Sequence, residues 1–246
     1  MIRRVFEPQV SLWQPNCEAS LRQCGQFAAY GDNCSFLRFY EDDFGNRLSI
    51  LENAATLTSH GEDTEEMRLF LTMDPSVTYV RTDAVTAASL AAMWNVSYQT
   101  EAVMRAPNGA MAHEYVNECP LKELYPVLVD GFGQHTLPPF DAWYADVHHR
   151  FRRDRCRAVA VFEEDIPVAC AMTVAECDSA ALIGAVATRP EARGKGYASA
   201  CVLTLAHQLQ QQSKIVYLSP KNEYAHRLYD RIGFTVVGEW GSVSRE

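Results

Sequence analysis

The sequence contains no C-x-x-C pair, although it has eight cysteines: Cys17, Cys24, Cys34, Cys119, Cys156, Cys170, Cys177 and Cys201. Zinc draws on tighter ligand clusters, so no metal is expected and the thiols read as reduced, buried groups of a cytoplasmic protein. No apolar run approaches the roughly 20 residues of a membrane-spanning helix. Residues 1–8 hold Arg3 and Arg4 but no apolar stretch, so no secretory signal is read. Positive charge is scarce: 22 Lys and Arg against 31 Asp and Glu give a net charge of −9. Such a chain is a poor generic partner for nucleic acids or anionic membranes, and neither is expected. Glycine and proline, 13 and 11 of 246 residues, are too few for a collagenous or low-complexity chain. What is present is 48% hydrophobic residues, enough for the core of one large domain or two small ones.

The charge is uneven. Residues 1–115 hold 8 basic and 15 acidic residues, net −7, and residues 116–246 hold 14 and 16, net −2. Weak internal similarity accompanies this. Phe39-Tyr40-Glu41-Asp42-Asp43 resembles Val161-Phe162-Glu163-Glu164-Asp165. Val77-Thr78-Tyr79-Val80 resembles Ile215-Val216-Tyr217-Leu218 at an offset of 138, which also aligns Ala87 with Ala225 and Leu90 with Leu228. A degenerate duplication is expected, with domains 1–110 and 111–246 meeting near the turn-rich Ala106-Pro107-Asn108-Gly109.

The second half is the more readable. Helical spacing covers 121–130, with Pro126 working against it, and a second helix covers 140–151. Strands follow at 158–162, 168–175 and 181–188, the last apolar on both faces and therefore central. A long helix over 196–212, a strand at 215–218, a helix over 222–232 and a strand at 234–240 complete a mixed α/β layer fold.

The sharpest chemical signal is Thr188-Arg189-Pro190-Glu191-Ala192-Arg193-Gly194-Lys195-Gly196-Tyr197-Ala198. A buried strand enters a loop with two glycines, and the loop opens a helix. Successive N–H groups at a helix start form an anion nest, reinforced by the helix dipole. Arg193 and Lys195 add charge, so a pyrophosphate is the expected ligand. A P-loop would need G-x-x-x-x-G-K-[ST], which is absent. A dinucleotide fingerprint would need Gly or Ala where Ser199 stands and an acid after the next strand, where Leu218-Ser219-Pro220 is found.

At these residues the sequence resembles the GNAT superfamily of N-acetyltransferases. The family's acetyl-CoA loop, Q/R-x-x-G-x-G/A, is matched by Arg193, Gly196 and Ala198, with Pro190 upstream. A second family pattern, N-x-x-A-x-x-L/F-Y-x-x-x-G-F, is matched by Asn222, Ala225, Leu228, Tyr229, Gly233 and Phe234. The resemblance covers about 115–241 and more weakly the first half. It implies the GNAT acyl-CoA N-acyltransferase fold, as a pseudo-tandem of two GNAT-like halves. It implies acetyl-CoA as co-substrate and direct transfer to a primary amine, expected to be a small molecule. Backbone groups of Val186, Ala187 and Thr188 would hold the pantetheine arm, and residues Arg193, Gly194, Lys195, Gly196, Tyr197, Ala198 and Ser199 the pyrophosphate. Asn222 would line the arm, and Tyr229 would give a proton to the sulfur. Phe132, His135, Phe140, Trp143 and Tyr144 would wall the acceptor site.

Plainer readings stand beside these. Asn222 reads equally as a helix N-cap, Tyr229 as a core aromatic, Lys195 as a solvated charge, and the aromatics as core packing. Glu163-Glu164-Asp165 reads as a solvated hairpin turn. His148-His149 reads as surface, and the basic run 150–157 as a helix end favoured by the dipole. The strand 181–188 carries no carboxylate, so no general base is assigned. The first half has no G-x-G between Asn53 and Met67, and Ala84, Ala91 and Asn95 stand where Asn222, Tyr229 and Gly233 stand in the second. One acetyl-CoA per chain is therefore expected. A non-catalytic acyl-CoA sensor and a peptide or protein N-acetyltransferase are the rival functions.

Overall fold

The computed structural model describes residues 1–6, 18–31, 34–60 and 63–245. Cys17 and Asn33 lie outside them. The chain forms two compact units, one of residues 1–103 with 237–246 and the other of residues 104–236.

The first unit contains β1 (Arg3–Val5), α1 (Glu18–Tyr30), β2 (Leu37–Glu41), β3 (Arg47–Leu51), β4 (Ala54–Thr58), α2 (Glu65–Met73), β5 (Tyr79–Thr82) and α3 (Ala84–Trp94), then most of β6 (Tyr98–Arg105). Strands β1 to β4 pair antiparallel in sequence order, and β4 pairs parallel with β5. Alternating apolar residues of β3, β4 and β5 bury Leu48, Ile50, Leu57 and Val80 against Met67 and Leu71 of α2 and Leu90 of α3. Asp83 caps α3 by accepting the Thr86 N–H at 2.8 Å. Asn95 ends it in the left-handed conformation at φ 57°.

The second unit contains β7 (Val116–Glu118), α4 (Leu121–Phe132), α5 (Phe140–Phe151), β8 (Ala158–Glu163), β9 (Ile166–Glu176), β10 (Ala180–Thr188), α6 (Tyr197–Gln210), β11 (Ile215–Leu218) and α7 (Glu223–Arg231). Its sheet order is β7-β8-β9-β10-β11, with the Met104–Arg105 end of β6 antiparallel to β11. Only β10 and β11 pair parallel. Helix α6 lies over β8, β9 and β10, burying Cys201, Val202, Leu205 and Leu209 against Val159, Ala169 and Ile183. Helices α4 and α5 form a second core with Trp143, Tyr125, Leu124 and Val147.

The last strand, β12 (Thr235–Ser244), runs four residues beyond its expected end at 240. Its Gly241–Ser244 stretch pairs antiparallel with β5, so the C-terminal residues complete the first unit's sheet. Arg245 fixes them there. Its guanidinium donates to Leu71 O at 2.8 Å and Thr72 O at 3.1 Å, at the end of α2, and lies 3.9 Å from the centre of the Trp94 ring.

The helix expected over 121–130 is present and slightly longer, and one further strand appears. Helix α4 continues through Pro126 to Phe132. Pro126 sits on the exposed side of the helix, so the Lys122 carbonyl that loses its N–H partner faces water while Leu124, Tyr125, Val127 and Leu128 are buried. A short strand, β7, precedes α4 and was not expected, because three residues with one buried side chain leave no periodic signal.

Candidate active site

Strand β10 supplies the central feature. Its pairing with β11 begins at Ala180↔Ile215 and ends at Ile183↔Leu218, although β10 continues for five more residues. A bulge at the break turns the strand: Gly184 opposes Met172 but Ala187 opposes Cys170, and Ala185 adopts the left-handed conformation at φ 47°. From Gly184 to Thr188, β10 keeps β9 on one side and has no strand partner on the other among the described residues. Val186, Ala187 and Thr188 therefore border an open edge. Thr188 Oγ1 is buried there and finds no hydrogen-bond partner.

The chain then passes a 3-10 turn at Pro190–Ala192 and enters the glycine loop. Gly194 and Gly196 have φ of 80° and 81°, conformations that glycine adopts without strain. A Cβ at either would meet nothing within 4 Å, so the loop presents bare backbone. The N–H of Arg193 donates to Pro190 O at 3.3 Å. Those of Gly194, Lys195, Gly196, Tyr197, Ala198 and Ser199 find no acceptor among the described residues. Six donors at the N-terminus of a 14-residue helix with no acid in its first turn form an anion nest. The residues present thus fit a pyrophosphate.

The side chains around the nest are partly committed. Arg193 folds back, its Nε donating to Thr188 O at 3.2 Å. Lys195 Nζ and Tyr197 Oη both donate to Glu163 Oε1, at 2.7 and 2.8 Å. These bonds hold the Glu163 carboxyl below the usual range and push Lys195 and Tyr197 up. Glu163 is consequently not part of a solvated turn. It is the last residue of β8, and the turn is Glu164-Asp165, both left-handed at φ 51° and 63°. Its position next to a turn dipeptide hid this role. The only signal was its place at the end of an apolar strand. Lys195 is exposed but paired, so its charge is not simply solvated.

Asn222 is the N-cap of α7, its Oδ1 accepting the Ala225 N–H at 2.9 Å. Tyr229 is buried, 7% exposed, and its ring lies 6.0 Å from that of Phe234. Its hydroxyl makes no hydrogen bond among the described residues. Burial pushes the phenol up to about 12. It therefore keeps its proton throughout the neutral range, and handing that proton fully to a thiolate of ordinary pKa, ~8.5, runs uphill by about 3.5 units. Gly233, at φ 91°, ends α7, with the Phe234 N–H returning to Tyr229 O at 3.0 Å.

The acceptor candidates divide. Trp143 is 8% exposed and packs 5.2 Å from Tyr125 in the second core. Tyr144 is half-buried, stacked at 20° between Phe140 and His148. Phe132 is 43% exposed at the end of α4, and His135 is exposed in the following turn. No group of metal-ligating side chains occurs among the described residues. The basic run is largely spent on structure. Arg150 pairs with Asp146, Arg155 with Asp178, and Arg157 with the buried Glu176, which also takes Lys214 at 2.7 Å.

Seven cysteines are described and all are free. Burial pushes Cys156 up to about 11 and Cys119 and Cys201 up to about 12, and raises Cys170 further. Among the described residues no helix is long and apolar enough to cross a membrane.

The model of the Acetyltransferase (GNAT) family matches residues 121–234. Among solved structures, the GCN5-related N-acetyltransferase from Kribbella flavida is 12% identical, with a TM-score of 0.63 over 94% of this chain and 96% of its own. An acetyltransferase of the GNAT family from Colwellia psychrerythraea is 10% identical, with a TM-score of 0.59 over 99% of both chains. A tandem GNAT protein from the clavulanic acid biosynthesis pathway is 11% identical, with a TM-score of 0.56 over 100% of this chain and 98% of its own. At these identities the likeness is one of fold. No curated protein matches the sequence.

Proposed function

We propose that this protein moves an acetyl group from acetyl-CoA to a primary amine of a small molecule, directly, within a ternary complex, a reading supported by the match of residues 121–234 to the Acetyltransferase (GNAT) family. One observation carries the proposal: an unpaired stretch of β10 leads into six N–H groups without acceptors. That arrangement suits a molecule with an extended amide-bearing arm ending in a pyrophosphate.

Acetyl-CoA supplies an activated thioester. The open edge at Val186, Ala187 and Thr188 pairs with the arm as an added strand would, and an N–H on that edge polarises the thioester carbonyl. Residues 193–199 hold the pyrophosphate through the nest, and Thr188 Oγ1 gains a partner at the site. Tyr229, kept protonated by burial, donates a hydrogen bond to the sulfur as its charge grows. The amine enters neutral, and no carboxylate of this chain is assigned as its base. Cys119, Cys156 and Cys201, held at about 11 to 12 by burial, carry almost no thiolate at neutral pH and are poor acyl carriers.

Calorimetric titration with acetyl-CoA, followed by thiol release in the presence of an amine panel, tests the proposal. One site per chain and turnover with small amines are expected. Binding without turnover on any amine would favour a sensor, and turnover confined to peptide amines a protein acetyltransferase. No binding to folded protein would end the acyl-CoA reading.

A further inference from the structure

We infer that Gly131 is a positioning residue for the transfer: its missing side chain lets α4, beside the acceptor candidates, rest directly on β10, the strand assigned to the acyl donor. The inference rests on the function proposed above. A Cβ built at Gly131 would lie 2.7 Å from Ala187 Cβ, 3.5 Å from Ala187 Cα and 3.7 Å from Thr188 N. Ala187 is 4% exposed and its Cβ is fixed to the strand backbone, so it cannot swing aside. One element would have to move off the other. At Gly184 a Cβ would instead meet the side-chain methyls of Val174, Cγ1 at 2.8 Å and Cγ2 at 3.0 Å.

Backbone conformation does not explain the glycine. Gly131 lies inside α4, without the positive φ of its neighbour Gly133, and alanine is the better helix former there. The contact with Ala187 is what a side chain would forbid. The flanking residues fix the same contact sideways. Asp130 Oδ2 lies 3.4 Å from Arg189 Nη1, and the Arg189 N–H donates to Val168 O at 2.8 Å, which anchors it to β9. Phe132, the exposed acceptor candidate, follows Gly131 directly. Ala187 lies two residues beyond the left-handed Ala185. A side chain at 131 thus shifts the acceptor wall relative to the thioester by about 1 Å, a displacement that can cost on the order of 100-fold in rate.

The test compares wild type, Gly131→Ala and the double variant Gly131→Ala/Ala187→Gly by acetyl-CoA-dependent thiol release and acetyl-CoA calorimetry. Gly131→Ala is expected to lower kcat about 10- to 100-fold while weakening acetyl-CoA binding less. Ala187→Gly in that background removes the opposing Cβ and should restore kcat at least about tenfold, and a thermal melt that Gly131→Ala leaves near wild type separates positioning from destabilisation. A kcat within about twofold of wild type, or a loss that Ala187→Gly does not relieve, overturns the inference. If Gly131→Ala fails to fold, Asp130→Asn is measured instead. A roughly threefold or larger fall in kcat supports the inference and an unchanged kcat overturns it. Wild type that neither binds acetyl-CoA nor releases thiol overturns the proposed function and this inference together, an outcome distinct from active wild type with an unaffected Gly131→Ala.

Discussion

Two of the strand–helix junctions invite comparison, one in each unit: α2 after β4, and α6 after β10. The two junctions are built with opposite electrostatics. At α2, Glu65 and Glu66 occupy the first turn, and Asp63 Oδ1 accepts the Glu65 N–H at 2.9 Å. The positive end of that helix dipole is answered from within the chain. At α6 there is no acid in the first turn and no side-chain cap, six N–H groups lack acceptors, and Arg193 and Lys195 stand nearby. The strands differ as well. β3 and β4 stay in register from Arg47↔Thr58 to Leu51↔Ala54, whereas the bulge in β10 precedes the stretch without a partner. An anion nest therefore takes more than a strand–turn–helix plan. It needs donors left unpaired, acids kept away and a strand edge opened beside it, and only the second unit combines these.

The change expected to do most is one that gives α6 the character of α2. Gly196→Glu places a carboxylate within the nest and a side chain at φ 81°. Acetyl-CoA binding should weaken more than about 100-fold, roughly 3 kcal/mol, from charge repulsion and lost donor geometry together. Calorimetry reads this, with a thermal melt to show that the protein remains folded. Binding within tenfold of wild type would mean that the donors at 194–199 do not hold the phosphates.

A second difference lies in how the two sheets are finished. The first unit takes β12, from the far end of the chain, and Arg245 secures it with bonds to carbonyls of α2 and a guanidinium over Trp94. Arg245→Ala should cost about 2 kcal/mol, from charge-assisted bonds to the α2 end and a cation–π contact. Denaturant unfolding should show the loss in the first unit while the acetyl-CoA affinity of the second is retained. An equal loss in both would mean that the units unfold as one.

Tyr229 sharpens the comparison further, since the residue 138 positions earlier in the sequence is Ala91. Tyr229→Phe should lower kcat about tenfold, near 1.4 kcal/mol, with acetyl-CoA affinity unchanged. The same variant reads the phenol. Its native pKa of about 12 exceeds the ~10 of an unfolded tyrosine, so folding binds its proton more tightly. That stability is complete below pH ~10 and is lost as pH rises toward 12. An alkaline absorbance titration should lose its last tyrosine step in the variant. A kcat unchanged by the substitution would leave Tyr229 as core packing.

Much of this was legible in the chain. The strand at 215–218 and the helix at 140–151 follow from periodicity alone, because length and spacing agreed with burial. The glycine loop was legible because its chemistry is local, made of consecutive N–H groups and two positive-φ glycines. Features that depend on residues distant in sequence were not. Nothing near 235–244 signals that β12 belongs beside β5. Nothing at Gly131 announces Ala187, 56 positions later. Glu163 looks like a turn residue in the sequence because its neighbours form one, and only the folded chain brings Lys195 to it. Trp143 and Tyr144 are adjacent in sequence, and packing alone separates a core indole from a half-buried phenol.

The smallest expected effect is also the closest test of what the two junctions teach. Asp63→Asn, Glu65→Gln and Glu66→Gln together remove the carboxylates at the start of α2. If charge alone distinguished the junctions, this triple variant would gain a second acetyl-CoA site. The structure argues otherwise. β4 stays in register with β3 to Thr58 without the bulge that turns β10, although its pairing with β5 ends at Thr56, so its last two residues are not redirected to receive the arm. Asn46 Nδ2 already donates to Asp63 O at 2.7 Å, which ties that backbone inward. Stoichiometry should therefore stay at one, with stability lowered by about 1 kcal/mol as the dipole loses its internal partners. A second saturable site in calorimetry would show that acidity alone had closed the first unit, and that the bulge in β10 is dispensable for binding.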